Sequence, residues 1–148
     1  MKSFRKDNGG NFVCMGDGII EEGCIVQGNV ILGRLKNSDL VPYSVTLDVH
    51  GEVTGFVKKN EDVGCVNSRI IIRNSGIVWG INGVHFADVA GNVNGNVEVS
   101  EYLIIRKGCR ISGKVSAFYI FFEEGVDSSK MKIKASKTLK EEPKFSFV

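Results

Sequence analysis

Two histidines, four cysteines and the glutamate pairs Glu21–Glu22 and Glu123–Glu124 are the residues of this chain whose types could do chemistry. A catalytic zinc held by three histidines is out of reach, because His50 and His85 are the only two. Cys14, Cys24, Cys65 and Cys109 form no C-x-x-C pair, so neither a zinc ribbon nor a dithiol redox site is indicated. Paired carboxylates can serve as acid and base, but only where a fold brings them together around a substrate. No Ser-His-Asp order, phosphate-cradling glycine loop or nucleic-acid aromatic pattern is present. The net charge of +2 is too small to argue for nucleic acid. No catalytic residue, cofactor or metal is therefore assigned.

The elements that would position these residues repeat. A thirteen-residue frame runs from Gly18 to Val30 and returns from Leu103 to Val115, with the apolar pair, Gly-Cys, a β-branched residue, Gly and Val all coinciding. Further copies start at Val45, Ile70, His85 and Ile120. Self-similarity of this kind signals a solenoid. Residues 89–99 alternate apolar and polar, the period of a strand with one buried face.

Reading down the frames gives columns. One holds Val26, Val53, Val78, Val93 and Ile111. A second holds Ile20, Leu47, Ile72, Ala87, Ile105 and Phe122. Gly28, Gly55, Gly80, Gly95 and Gly113 form a third, the mark of a corner repeated on every coil. Glu21, Asp48, Arg73, Asp88, Arg106 and Glu123 form a charged column whose signs alternate from the third coil on, as side-by-side ion pairs require. This gives the glutamates a structural role. Cys24 and Cys109 share a column expected to be small and buried. The expected fold is all-β: a single-domain parallel β-helix of about six coils, roughly 30 Å long at the spacing of paired strands. Two insertions are expected near residues 33–44 and 58–69, with Trp79 packed beneath one of them.

The copies at 18–30, 89–97 and 103–117 resemble the bactofilins, bacterial polymer-forming cytoskeletal proteins, and the resemblance covers roughly residues 14–126. It implies a right-handed β-helix that joins end to end into nucleotide-independent filaments, acting as a scaffold for other proteins at bacterial membranes. Polymerisation also follows from the fold, since an uncapped end coil presents unpaired backbone groups and a contact that does not close into a ring propagates. The aromatic stretch Tyr119 to Phe122 lies in the last frame, so Phe121 and Phe122 are the candidate polymer interface. In the competing arrangement, one of them fills the core and the other lies under the C-terminal tail.

Residues 1–12 are expected to be a flexible tail, 13–129 the β-helix, and 130–148 a Lys-rich tail or cap. Phe4, Arg5 and Lys6 are the candidate membrane contact, worth roughly 1 kcal/mol per cation near anionic lipid. With neither a signal peptide's apolar stretch at the N-terminus nor a membrane-spanning run, the expected location is the cytoplasm, at the inner face of the membrane. The enzymatic rival is a left-handed β-helix of the hexapeptide acyltransferase type, although no sustained hexad phase survives and the two histidines occupy non-equivalent columns. The other rival is a non-polymerising β-helix that serves as a binding module.

Overall fold

One coil of alternating residues leaves its apolar side chains and its backbone groups uncovered until a second coil stacks on it. The computed structural model, which describes residues 4–6, 9–33, 44–59 and 67–144, shows such a stack. Among the described residues there is no helix. One face of the prism is built from β3 (Gly18–Ile20), β6 (Ser44–Val49), β9 (Asn67–Ile72) and the second halves of β11 (Ile81–Val89), β13 (Val97–Ile105) and β15 (Val115–Phe122). A second, narrower face holds β4 (Ile25–Val26), β7 (Glu52–Val53), β10 (Ile77–Val78), β12 (Asn92–Val93) and β14 (Arg110–Ile111). The third holds β2 (Phe12–Cys14), β5 (Val30–Leu32), β8 (Val57–Lys59), the first halves of β11, β13 and β15, and β16 (Ile133–Thr138). These pairs are parallel; β1 (Phe4–Lys6) alone runs antiparallel, against β2.

The inward side chains form one core, with Ile20, Leu32, Leu47, Ile70, Ile72, Leu103, Ile105 and Ile120 fully buried. The expected column Val26–Val53–Val78–Val93–Ile111 is present. The column through Ile20 is not as expected. Ile20 is followed by Val49, Ile72, Val89, Ile105 and Phe122, while Leu47 and Ala87 stack with Ile70, Leu103 and Ile120. The frames read from Val45 and His85 are thus two residues out of register. A slip of two keeps every side chain on its proper face, so alternation alone could not detect it.

The cause is a corner of two kinds. In coils one, three and five the chain leaves the first face through a turn closed by a backbone bond, from Cys24 N–H to Glu21 O, Gly76 N–H to Arg73 O and Cys109 N–H to Arg106 O. Coils two and four cut the corner, running from Val49 to Val53 and from Val89 to Val93. Gly51 and Gly91 then lie directly against the turn of the coil before. A Cβ at Gly91 would stand 2.2 Å from the Arg73 carbonyl oxygen, and one at Gly51 2.3 Å from that of Cys24. These glycines share a column with Cys24 and Cys109. Because the column lies in the corner and not in the core, Cys24 is exposed and Cys109 half-buried, contrary to expectation.

The Gly column at the next corner is present in four coils, but the third passes from Val78 to Ile81 one residue sooner. Trp79 takes the glycine position there, its N–H bonded to Gly55 O, and its side chain projects outward, 49% exposed. It is not packed beneath an insertion. The stretches expected to loop out fall largely on residues 34–43 and 60–66, outside the described residues, as does Cys65; their described ends Lys58, Lys59, Asn67, Ser68 and Arg69 lie in β8 and β9.

Around Gly83–His85 the pairing of β11 is irregular, and side chains replace ladder bonds. The His85 N–H donates to Ser68 Oγ (3.1 Å), and the Ser68 N–H donates back to His85 Nδ1 (3.0 Å). Ser68 Oγ also meets that nitrogen at 2.8 Å. Nδ1 therefore accepts, and the neutral ring carries its proton on Nε2. Burial, reinforced by Lys59 on β8 and opposed by Glu101 on β13, lowers the pKa of His85. The unfolded chain takes up a proton near the ordinary histidine value of about 6.5, and the folded chain only at lower pH. Stability is full above that value and is lost as pH falls through it. The melting temperature should drop between pH 7.5 and 5.5, above the range of the carboxylates, and the drop should shrink in His85→Gln. An unchanged pH slope in that variant would show that His85 is not the group responsible.

Candidate assembly surfaces

A stack of coils offers two kinds of surface: its ends, where backbone groups lack a next coil, and its sides, where outward columns line up. At the N-terminal end β1 lies along the edge of β2, with Phe4 opposite Cys14, Arg5 opposite Val13 and Lys6 opposite Phe12. The first-coil core residues Ile20 and Val26 are only 0% and 3% exposed. Phe12 at this end packs on the core yet stays partly exposed, and among the described residues no strand pairs with the outer side of β3 or β4.

The C-terminal end is also partly open. β16 adds a parallel rung along β15 from Val115 to Ile120, and the Leu139 N–H donates to Ile120 O at 2.7 Å. β14 pairs with β12 on one side, and among the described residues no strand pairs with its other side. Around it Ile111, Phe122, Val126, Met131, Ile133 and Ala135 pack on the core yet remain partly exposed. Phe121 and Phe122, neighbours on one strand, point to opposite faces. Phe122 stacks inward on Ile105, while Phe121 stacks outward on Ile104. The structure therefore does not bring the two rings together, although both are only half-buried.

The side of the first face carries a charge network, and its pattern corrects the simple ladder. Asp48 and Asp88 stand in the outward column of Ile71 and Ile104, two residues before the column of Arg73, Arg106 and Glu123. The pairs are consequently diagonal, and each arginine reaches back with two parallel bonds. Arg73 Nε and Nη2 donate to Asp48 at 2.8 and 3.0 Å. Arg106 Nε and Nη2 donate to Asp88 at 2.9 and 2.8 Å. Arg106 Nη1 also meets Glu123 at 3.2 Å, and Glu142 from the C-terminal segment. Burial alone would raise the Asp48 carboxyl, but Arg73 and His50, 3.1 Å away, outweigh it and hold the pKa below the ordinary value. For Glu123, the Lys107 backbone N–H is the largest influence and lowers the pKa. Glu21 and Glu22 are exposed and make none of these contacts. Glu22 and Glu123 line one shallow cleft with His50, Arg73, Asp88 and Arg106, but the Glu123 carboxylate there is held by Arg106 and the Lys107 N–H.

Beside the charges runs an aromatic ladder. Phe86 and Tyr102 stack at 5.6 Å between ring centroids, Tyr102 and Tyr119 at 4.8 Å, and Phe118 meets Tyr119 edge-on at 4.6 Å. On the opposite corner Phe56 (37% exposed) and Trp79 are both in solvent, with the Lys58 ammonium 5.7 Å from the Phe56 ring centroid. The missing residue between Val78 and Ile81 was the available sign that Trp79 would be turned out.

A profile of the bactofilin family, described as polymer-forming cytoskeletal proteins, matches residues 19–129. No curated protein and no solved structure gives a match.

The two arginines of the network should differ in weight. The Arg106 side chain is 23% exposed and that of Arg73 49%. Arg106→Gln should cost roughly 1–3 kcal/mol, the scale of bonds to charged groups. Arg73→Gln, more screened by water, should cost less than about 1 kcal/mol. Urea unfolding measures both, and equal losses would show that burial does not set the difference.

Proposed function

The chain belongs to the bactofilin family of polymer-forming cytoskeletal proteins, and from that premise we propose that it assembles end to end through its C-terminal coil. The observation that carries this reading is that both ends leave strand edges open. Ile111, Phe122, Val126 and Met131 form a partly exposed apolar rim near the unpaired side of β14, and at the other end β3 and β4 offer unpaired sides to the next copy. An apolar rim around unpaired backbone groups is the surface a second coil completes, by strand pairing and by burial together. Phe121, outward at the same level, lies at the margin of that contact. The filaments need no nucleotide or other cofactor, because cohesion comes from backbone and core. No catalytic step is assigned: His50, just past β6, is held by Asp48, and His85 on β11 by Ser68.

Val126→Lys and Met131→Lys change partly exposed residues at the rim, so both variants should fold. Electron microscopy and sedimentation should show filaments for the natural chain and short soluble species for the double variant. Filaments of ordinary length from the folded double variant would overturn the C-terminal contact.

The filament acts in this reading as a cytoplasmic scaffold for other proteins, held at the inner face of the membrane through Phe4, Arg5 and Lys6. Each copy contributes weakly, and assembly multiplies the contacts. Replacing the three residues by Ser should abolish co-sedimentation with anionic vesicles while filaments persist. Undiminished pelleting would remove the membrane contact from the proposal.

A further inference from the structure

Beyond β16 the chain turns back across the first face. The Leu139 N–H bond to Ile120 O starts this return, and Glu142 reaches Arg106 a coil further back. Residues 139 and 141–144 then line a groove of about 520 Å3 together with Asn67, Arg69, Phe86 and Tyr102. On the same face Ile104 stands in an outward column and is nevertheless only 1% exposed. The returning segment is held lightly. Lys140, Glu141, Glu142 and Lys144 are exposed, and Leu139 and Pro143 are half-buried. Glu142 anchors it through an arginine that already serves Asp88 and Glu123.

We propose that the face flooring this groove is a docking site for a Glu-Glu-Pro segment, covered in cis by the chain's own residues 139–144 and open to the same segment of a second copy. The seated segment defines what the site accepts. Arg106 takes a carboxylate, and Arg69 adds a second positive charge at the groove's wall. The stacked rings of Phe86 and Tyr102 offer an apolar wall for a residue such as proline. Every copy carries both the groove and the clasp that fits it, so the complementary partner is this chain itself. Segments with few buried contacts open at low free energy, and a clasp tethered beside its own groove competes with a free one through its high local concentration. Exchange between copies would join them side by side, since the groove lies on a face and not at an end. The inference is independent of the end contact proposed above.

The test uses the full chain carrying Glu142→Lys, which removes the carboxylate that Arg106 holds and leaves Asn67, Arg69, Phe86 and Tyr102 unchanged, and Glu142→Gln as a milder second variant. A fluorescent peptide of residues 139–148 is titrated and its anisotropy followed. Saturable binding is expected to both variants, at least tenfold tighter than to the natural chain, whose face is covered by its own segment. A peptide with Lys in place of Glu142 should bind at least tenfold more weakly to the same variants. Absence of saturable binding to the folded variants overturns the proposal. So does equal binding to natural and variant chains, or indifference to the peptide's charge.

Discussion

The backbone of each coil finds its hydrogen-bond partners in the coil above and the coil below. Side chains in this fold are free to vary only as far as that stacking allows. It demands that corners superpose, and Gly51 and Gly91 show how strictly. Where a coil shortens its corner, the next atoms outward are the carbonyl oxygens of the preceding turn, and no side chain fits between. The same demand sets the irregular pairing of β11, where Ser68 and His85 supply through side chains the bonds that the strands cannot make directly.

The architecture was legible in the sequence because alternation and column identity are direct images of stacking. Gly18–Val30 and Leu103–Val115 share the same corner type, so their alignment was sound. Val45 and His85 were misplaced because their coils cut a corner, and a two-residue slip leaves the inward pattern intact. The charges were recognised as neighbours but placed in one column. Their diagonal arrangement follows from the same two-residue slip, because Asp48 and Asp88 belong to the frames read from Val45 and His85. The cysteines failed for a related reason: Cys24 and Cys109 do share a column, but it is that of a turn and not of the core. The aromatic end was visible as composition, whereas the opposite directions of Phe121 and Phe122 required the register.

The two ends of the stack are chemically unequal. At one, β1 lies along β2 and leaves β3 and β4 without an outer partner; at the other, β16 lies along β15 and a half-buried apolar rim lies near the unpaired side of β14. That inequality gives the molecule a direction, and it separates the end surfaces from the sides. The sides carry ordered ladders of charge and aromatic rings, and across one of them the C-terminal segment returns to Arg106.

Trp79 has a consequence of another kind. It is the only tryptophan in the chain, and it stands in solvent at a corner in the middle of the stack. Its fluorescence is thus a built-in probe placed away from both ends. Growth of a filament by adding copies at its ends, as proposed above, would leave that corner wet and its emission unchanged. Bundling of filaments along that edge would dry it and move the emission to shorter wavelength. One optical signal from the unmodified protein thereby distinguishes lengthening from lateral association.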